Sequence, residues 1–145
     1  MNQRDFKIRG LGEIAIRCID IGKMKDFYQS ILGLEVLPGD YRDGIVFFRI
    51  AEGFGGHTTV LALFQDDATD QKQMGHDSGS LHHLALSLPF EEQEAAMQWF
   101  ESHGIEYKVE QFDWIGWRGV FVNDPEGNHV ELVAYDQSML RNSQK

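Results

Sequence analysis

One cysteine, Cys18, is present in the 145 residues. A lone thiol excludes an internal disulfide and any cysteine-rich zinc site, so a reducing cytoplasm is the expected home. No apolar run approaches the roughly 20 residues of a membrane-spanning helix. The opening residues MNQRDFKIRG lack the apolar core of a secretion signal. Basic residues are scarce, 13 Lys and Arg against 23 Asp and Glu, for a formal charge of −10. That balance disfavours nucleic acid and anionic membrane surfaces, which would repel the chain. It also weighs mildly against strongly anionic substrates. A soluble, cytoplasmic protein is the expectation.

The length suits one domain (1–145), and 42% hydrophobic residues suffice for a core without covalent staples. LGEIAIRCID alternates with period two: Ile14, Ile16 and Cys18 on one face, Glu13, Ala15 and Arg17 on the other. IGKMKDFYQSILG then places Met24, Phe27, Tyr28, Ile31 and Leu32 at helical spacing, with Gly33 positioned as a left-handed cap. Short strands are expected at about 34–37, 45–51 and 58–64, broken by Pro38-Gly39-Asp40 and Gly55-Gly56. A polar connection without periodicity covers 66–80.

After it the order restarts. HHLALSLP alternates, with Leu84, Leu86 and Leu88 opposite His83, Ala85 and Ser87. EEQEAAMQWFESHG reads as a helix with Ala96, Met97 and Phe100 on its apolar side and Gly104 at its end. Strands at about 106–112, 117–122 and 128–135 follow. Both parts, about 11–65 and 81–136, thus read strand-helix-strand-strand-strand, at an offset of about 70 residues that aligns Glu13 with His83 and Ala62 with Glu131. The fold class expected is α+β, built from two βαβββ modules.

FYQSILGLEV and RGVFVNDPEGNHVELV, with the repeat covering residues 11 to 135, resemble the vicinal oxygen chelate superfamily. That is the group of glyoxalase I, extradiol dioxygenases, and fosfomycin and bleomycin resistance proteins. Asp124, Pro125 and Gly127 of DPEGN also suit a type I turn between strands. The resemblance implies a curved, incomplete mixed-sheet barrel around a metal-centred cavity. Its ligand positions, on the first and last strands of each module, fall on Glu13, Ala62, His83 and Glu131. Alanine cannot ligate, which leaves Glu13, His83 and Glu131.

Strand phase agrees in direction, since Glu13, His83 and Glu131 each alternate with apolar rows. His82 has the other parity and is expected to be a surface residue or a partner to a ligand. Each reading has a plainer counterpart. Glu131 can be a solvated carboxylate, His83 can cap a strand, and Glu13 can be the relic of a lost site. His129 shares the parity of Glu131 and is a proton carrier or a strand-end surface residue. Arg17 contacts a substrate carboxylate or pairs with an acid. Trp114 and Trp117, with Phe112, form either a wall for an organic ligand or ordinary edge packing. His57, His76 and His103 carry no assignment, and Cys18 reads as a small buried hydrophobe.

One imidazole with two carboxylates suits Mn²⁺, Fe²⁺, Ni²⁺, Zn²⁺ or Mg²⁺. Within the resemblance, the missing ligand at Ala62 argues against glyoxalase and epimerase chemistry, and Glu13 breaks the two-histidine pattern of extradiol dioxygenases. What remains is a metal-dependent lyase, isomerase or dioxygenase acting on a small vicinal-oxygen substrate. The alternative is a metal-free binding protein of the bleomycin-resistance type. The resemblance further implies a homodimer.

Overall fold

The computed structural model describes residues 4–38, 44–66 and 79–143. The chain divides into two compact units, residues 1–69 and 70–145, and each holds one four-stranded mixed sheet. Among the described residues no helix is long and apolar enough to cross a membrane.

In the first unit β1 (Glu13–Cys18) leads into α1 (Ile21–Asp26), which widens into a π-helical turn over Phe27–Ile31. Strands β2 (Glu35–Val36), β3 (Ile45–Phe54) and β4 (His57–Gln65) follow, in sheet order β1-β4-β3-β2. Strand β1 runs parallel to β4, and the other pairings are antiparallel. The helix starts where the Asp20 carboxylate accepts the Lys23 backbone N–H at 3.1 Å. Its apolar stripe of Met24, Phe27 and Tyr28 is buried with Ile16 and Cys18 of β1 and Phe48, Leu61 and Leu63 of the sheet. The Tyr28 and Phe48 rings stand 6.0 Å apart. Period two in β1 therefore has the expected sense, with Glu13, Ala15 and Arg17 exposed and Ile16 and Cys18 buried. The turn expected at 38–40 lies partly outside the described residues, as does most of the 66–80 connection.

The second unit repeats the plan with β5 (Leu84–Ser87), a 3₁₀ turn (Phe90–Glu92), α2 (Gln93–Ser102), β6 (Lys108–Phe112), β7 (Trp117–Asn123) and β8 (His129–Tyr135). The order is β5-β8-β7-β6, with β5 parallel to β8. Helix α2 closes at Gly104, whose φ is +67. The Ile105 N–H reaches Phe100 O and the Gly104 N–H reaches Glu101 O, the paired bonds of a Schellman ending. Neither sheet is closed: β1 and β2 are the edges of one, β5 and β6 of the other.

Two features were not anticipated. Gln93 is fully buried on the helix face otherwise made by Ala96, Met97 and Phe100. Its amide nitrogen donates to Arg118 O at 2.8 Å and Leu132 O at 3.0 Å, and its oxygen accepts from Arg118 Nε at 2.6 Å. A polar residue fits there because all its hydrogen-bonding capacity on that side is used. A further helix, α3 (Gln137–Ser143), follows β8. Asp136 caps it by accepting from the Ser138 backbone N–H and hydroxyl.

Candidate functional site

The DPEGN hairpin sets the register of the site. Gly127 N–H closes the turn on Asp124 O at 3.0 Å, as a type I turn requires. The buried Asp124 carboxylate adds bonds from Glu126 N–H, Asn128 N–H and the Asn128 side-chain amide. With the turn held this way, Phe121 pairs with Glu131 and Gly119 with Val133. His129, Glu131, Phe121, Gly119, Glu110 and Lys108 then share one face of the sheet, because successive side chains alternate.

On that face Glu131 is 5% exposed. His83, immediately before β5, brings Nε2 to 3.1 Å from Glu131 Oε1. Its other nitrogen, Nδ1, faces Nδ1 of His82 at 2.8 Å. His82 is thus exposed, as its parity requires, yet it holds the histidine beside Glu131. Burial pushes the Glu131 carboxyl above the ordinary carboxylate range. The charge and hydrogen bond of His83 pull it partly back, and Glu110 adds to the rise.

Glu131 and His83 line a pocket of about 540 Å³. Its wall is largely aromatic, from Phe112, Trp117 and Phe121, with Trp114 and Ile115 of the β6–β7 turn. Trp114 is 74% and Trp117 44% exposed, an unusual amount of aromatic surface facing water. His129 also lines this pocket, and its Nδ1 lies 2.7 Å from Asn123 Oδ1. An amide oxygen only accepts, so Nδ1 carries the proton and Nε2 is the basic nitrogen of that ring.

The other expected residues lie in the first unit. Glu13 opens β1, is exposed, and borders a smaller pocket of about 290 Å³ with Arg9, Phe54 and His57. Arg17 places Nε 3.9 Å from Asp66 Oδ2. Ala62 is fully buried and Cys18 likewise. His76 lies outside the described residues. Among the described residues, no three His, Cys, Asp or Glu side chains gather into a metal-holding group.

His83 and Glu131 are the expected ligands that the structure brings together: their 3.1 Å separation is that of a hydrogen-bonded pair, and it also lies near the roughly 3.0 Å between two donors about 2.1 Å from one ion at right angles. Gly119 leaves the space the carboxylate occupies, since a Cβ there would lie 2.2 Å from Glu131 Oε2. Of the residues that the sequence reading singled out, His83, Glu131, His129, Trp114 and Trp117 line this one pocket. That reading passed over Gly119, Phe121, Lys108 and Glu110, whose roles follow from strand pairing.

A model of the Glyoxalase/Bleomycin resistance protein/Dioxygenase superfamily matches residues 10–132. The uncharacterized protein YwkD of Bacillus subtilis (strain 168) is 29% identical over 131 residues, 90% of this chain and 98% of that protein. A solved glyoxalase/dioxygenase from Nostoc punctiforme is 20% identical, with a TM-score of 0.67 over 88% of this chain and 92% of its own. A variant of the fosfomycin resistance protein FosX from Listeria monocytogenes, complexed with Mn(II) and 1S,2S-dihydroxypropylphosphonic acid, is 19% identical, with a TM-score of 0.66 over 96% and 100%. At such identities the solved structures share the fold with this chain.

Proposed function

The chain belongs to the glyoxalase/bleomycin resistance protein/dioxygenase superfamily, and from that premise we propose that it is a divalent-metal-dependent enzyme acting on a small substrate with two adjacent oxygens. The reaction is of lyase, isomerase or dioxygenase type. The observation that carries this reading is the pairing of His83 Nε2 and Glu131 Oε1 at 3.1 Å, at the polar end of an aromatic-walled pocket. His83 and Glu131 are the proposed ligands; Glu13, the third by the resemblance, borders its own pocket in the first unit with Arg9, Phe54 and His57. A divalent ion held by His83 and Glu131 supplies Lewis-acid stabilisation of a developing oxyanion. The Mn(II) and vicinal diol bound by the FosX variant support this class of ion and substrate.

The chain's own groups divide the remaining work. His82 and His83 share one proton between facing Nδ1 atoms. When His83 Nε2 serves as a ligand, that ring's proton sits on Nδ1 and is donated to His82, which holds the ring in place. His129, with Nδ1–H held by Asn123, presents Nε2 as the proton acceptor. Trp114, Trp117 and Phe121 cover the apolar part of the substrate and exclude water. Arg17 is the proposed contact for a substrate carboxylate. A homodimer in the cytoplasm completes the reading, the location supported by the single cysteine.

A second reading, a metal-free binding protein of the bleomycin-resistance type, is favoured by one observation. Glu131 and His83 already satisfy each other inside a pocket that is mostly aromatic. Metal analysis of tag-free protein purified without chelators separates the two. Near one equivalent of Mn, Fe, Ni, Zn or Mg, lost in Glu131→Ala, is the expected result. No uptake of any of these ions, with tight ligand binding indifferent to chelator, overturns the enzyme reading and leaves the binding protein.

A further inference from the structure

The two sheets solve one packing problem in opposite ways. In the second, Phe121 pairs with Glu131 and Gly119 with Val133. In the first, Phe47 pairs with Ala62 and Ile45 with Phe64. Ile45 therefore holds the ladder position of Gly119, and Ala62 that of Glu131. One module sets a large residue diagonally beside a small one; the other sets the smallest residue beside a long carboxylate.

The need for glycine at 119 is spatial. Gly119 is absent from the glycines with positive φ, so its backbone conformation is open to any residue. An ideal Cβ there would meet Glu131 Oε2 at 2.2 Å, Glu131 Cδ at 2.9 Å and Phe121 Cε2 at 2.9 Å. No side chain tolerates such contacts, so an added methyl must displace the carboxylate or the ring. The carboxylate lies over Gly119 while its other oxygen faces His83. Displacing one end moves both.

We infer that Gly119 is a positioning residue: its missing side chain is the notch that seats the Glu131 carboxylate against His83, and the Ile45–Ala62 exchange closes the same notch in the first module. The consequence for metal rests on the proposed ligand role of Glu131, whereas the steric relationship does not. The absence of a ligand at Ala62 is then more than a single substitution. A glutamate there would also need Ile45 to give way.

The test uses full-length Gly119→Ala, Glu131→Ala and the double variant, with Mn²⁺ alone as the probe. Gly119→Ala is expected to weaken Mn²⁺ binding about tenfold, the usual scale for disturbing what orients a ligand. Its cost in Tm should shrink in the Glu131→Ala background, where the carboxylate that the methyl meets is gone. Wild-type Mn²⁺ affinity in Gly119→Ala, or an equal Tm cost in both backgrounds, overturns the inference. If the wild type takes up no Mn²⁺, the thermal cycle alone decides Gly119. Should Gly119→Ala not fold, folding of the double variant supports the notch, and its failure to fold overturns it. In the first module, Ala62→Glu should cost less in an Ile45→Gly background; equal costs overturn that half.

Discussion

His83 Nε2 and Glu131 Oε1 stand 3.1 Å apart, joining the residue at the head of β5 to the middle of β8. The carboxylate is nearly enclosed, and its proton affinity is raised by burial more than His83 lowers it. The folded protein therefore binds this proton more tightly than the unfolded chain does. By linkage, the stabilisation is fully present below the ordinary carboxylate range and is lost as pH rises through the raised value. In chelator-treated protein, Glu131→Gln is expected to melt above the wild type at about pH 8. The gap should close as the solution is acidified. Thermal melts across the range check this, and a gap that does not change with pH would contradict it.

The contact between the two Nδ1 atoms of His82 and His83 gives an exposed residue a role at the site. His82→Ala is expected to weaken metal binding about tenfold. Because His82 is exposed, stability should move by no more than about 0.5 kcal/mol. Calorimetric titration with Mn²⁺ beside a urea melt measures both, and a large stability loss would show that the contact is structural.

Gln93 braces β7 and β8 through the carbonyls of Arg118 and Leu132, the neighbours of Gly119 and Glu131. Gln93→Leu fills similar space but leaves those two acceptors and Arg118 Nε without their partner. A loss of about 2–4 kcal/mol is expected from urea denaturation. A change under about 0.5 kcal/mol would mean that other partners replace the glutamine.

Asp124 collects three hydrogen bonds within its own turn. Asp124→Ala is expected to cost about 2 kcal/mol by removing a buried acceptor from three donors. Amide exchange at Glu126 and Asn128 should quicken with it; protection equal to the wild type would contradict the assignment.

Trp114 is mostly exposed on the β6–β7 turn, so Trp114→Ala should leave stability within about 0.5 kcal/mol. If the aromatic wall receives an aryl ligand, the same variant should bind catechol about fivefold more weakly, the worth of one ring–ring contact. Quenching of the remaining tryptophan fluorescence reads the affinity, and unchanged binding would place the ligand elsewhere.

Local pattern was enough to determine much of this protein. Strand phase in EIAIRC and LALS, the helix ends at Gly33 and Gly104, and the DPEGN turn depend on neighbours a few residues away, so they are legible in order along the chain. The same period of two separated His83 from His82 and turned Glu131 to the face opposite Val130 and Leu132. The last helix escaped because its signals, Asp136 and a short segment with one buried methionine, are weak in isolation.

Only the tertiary structure decided what those oriented residues meet. Gly119 and Glu131 are twelve positions apart, and their contact exists because the hairpin register sets them on one diagonal. Gln93 looks like a solvated helix residue until the carbonyls of Arg118 and Leu132 arrive beneath it from β7 and β8. Alternation decides which way a side chain points. Pairing register and packing decide which atoms lie there, and these depend on residues that are distant in the chain.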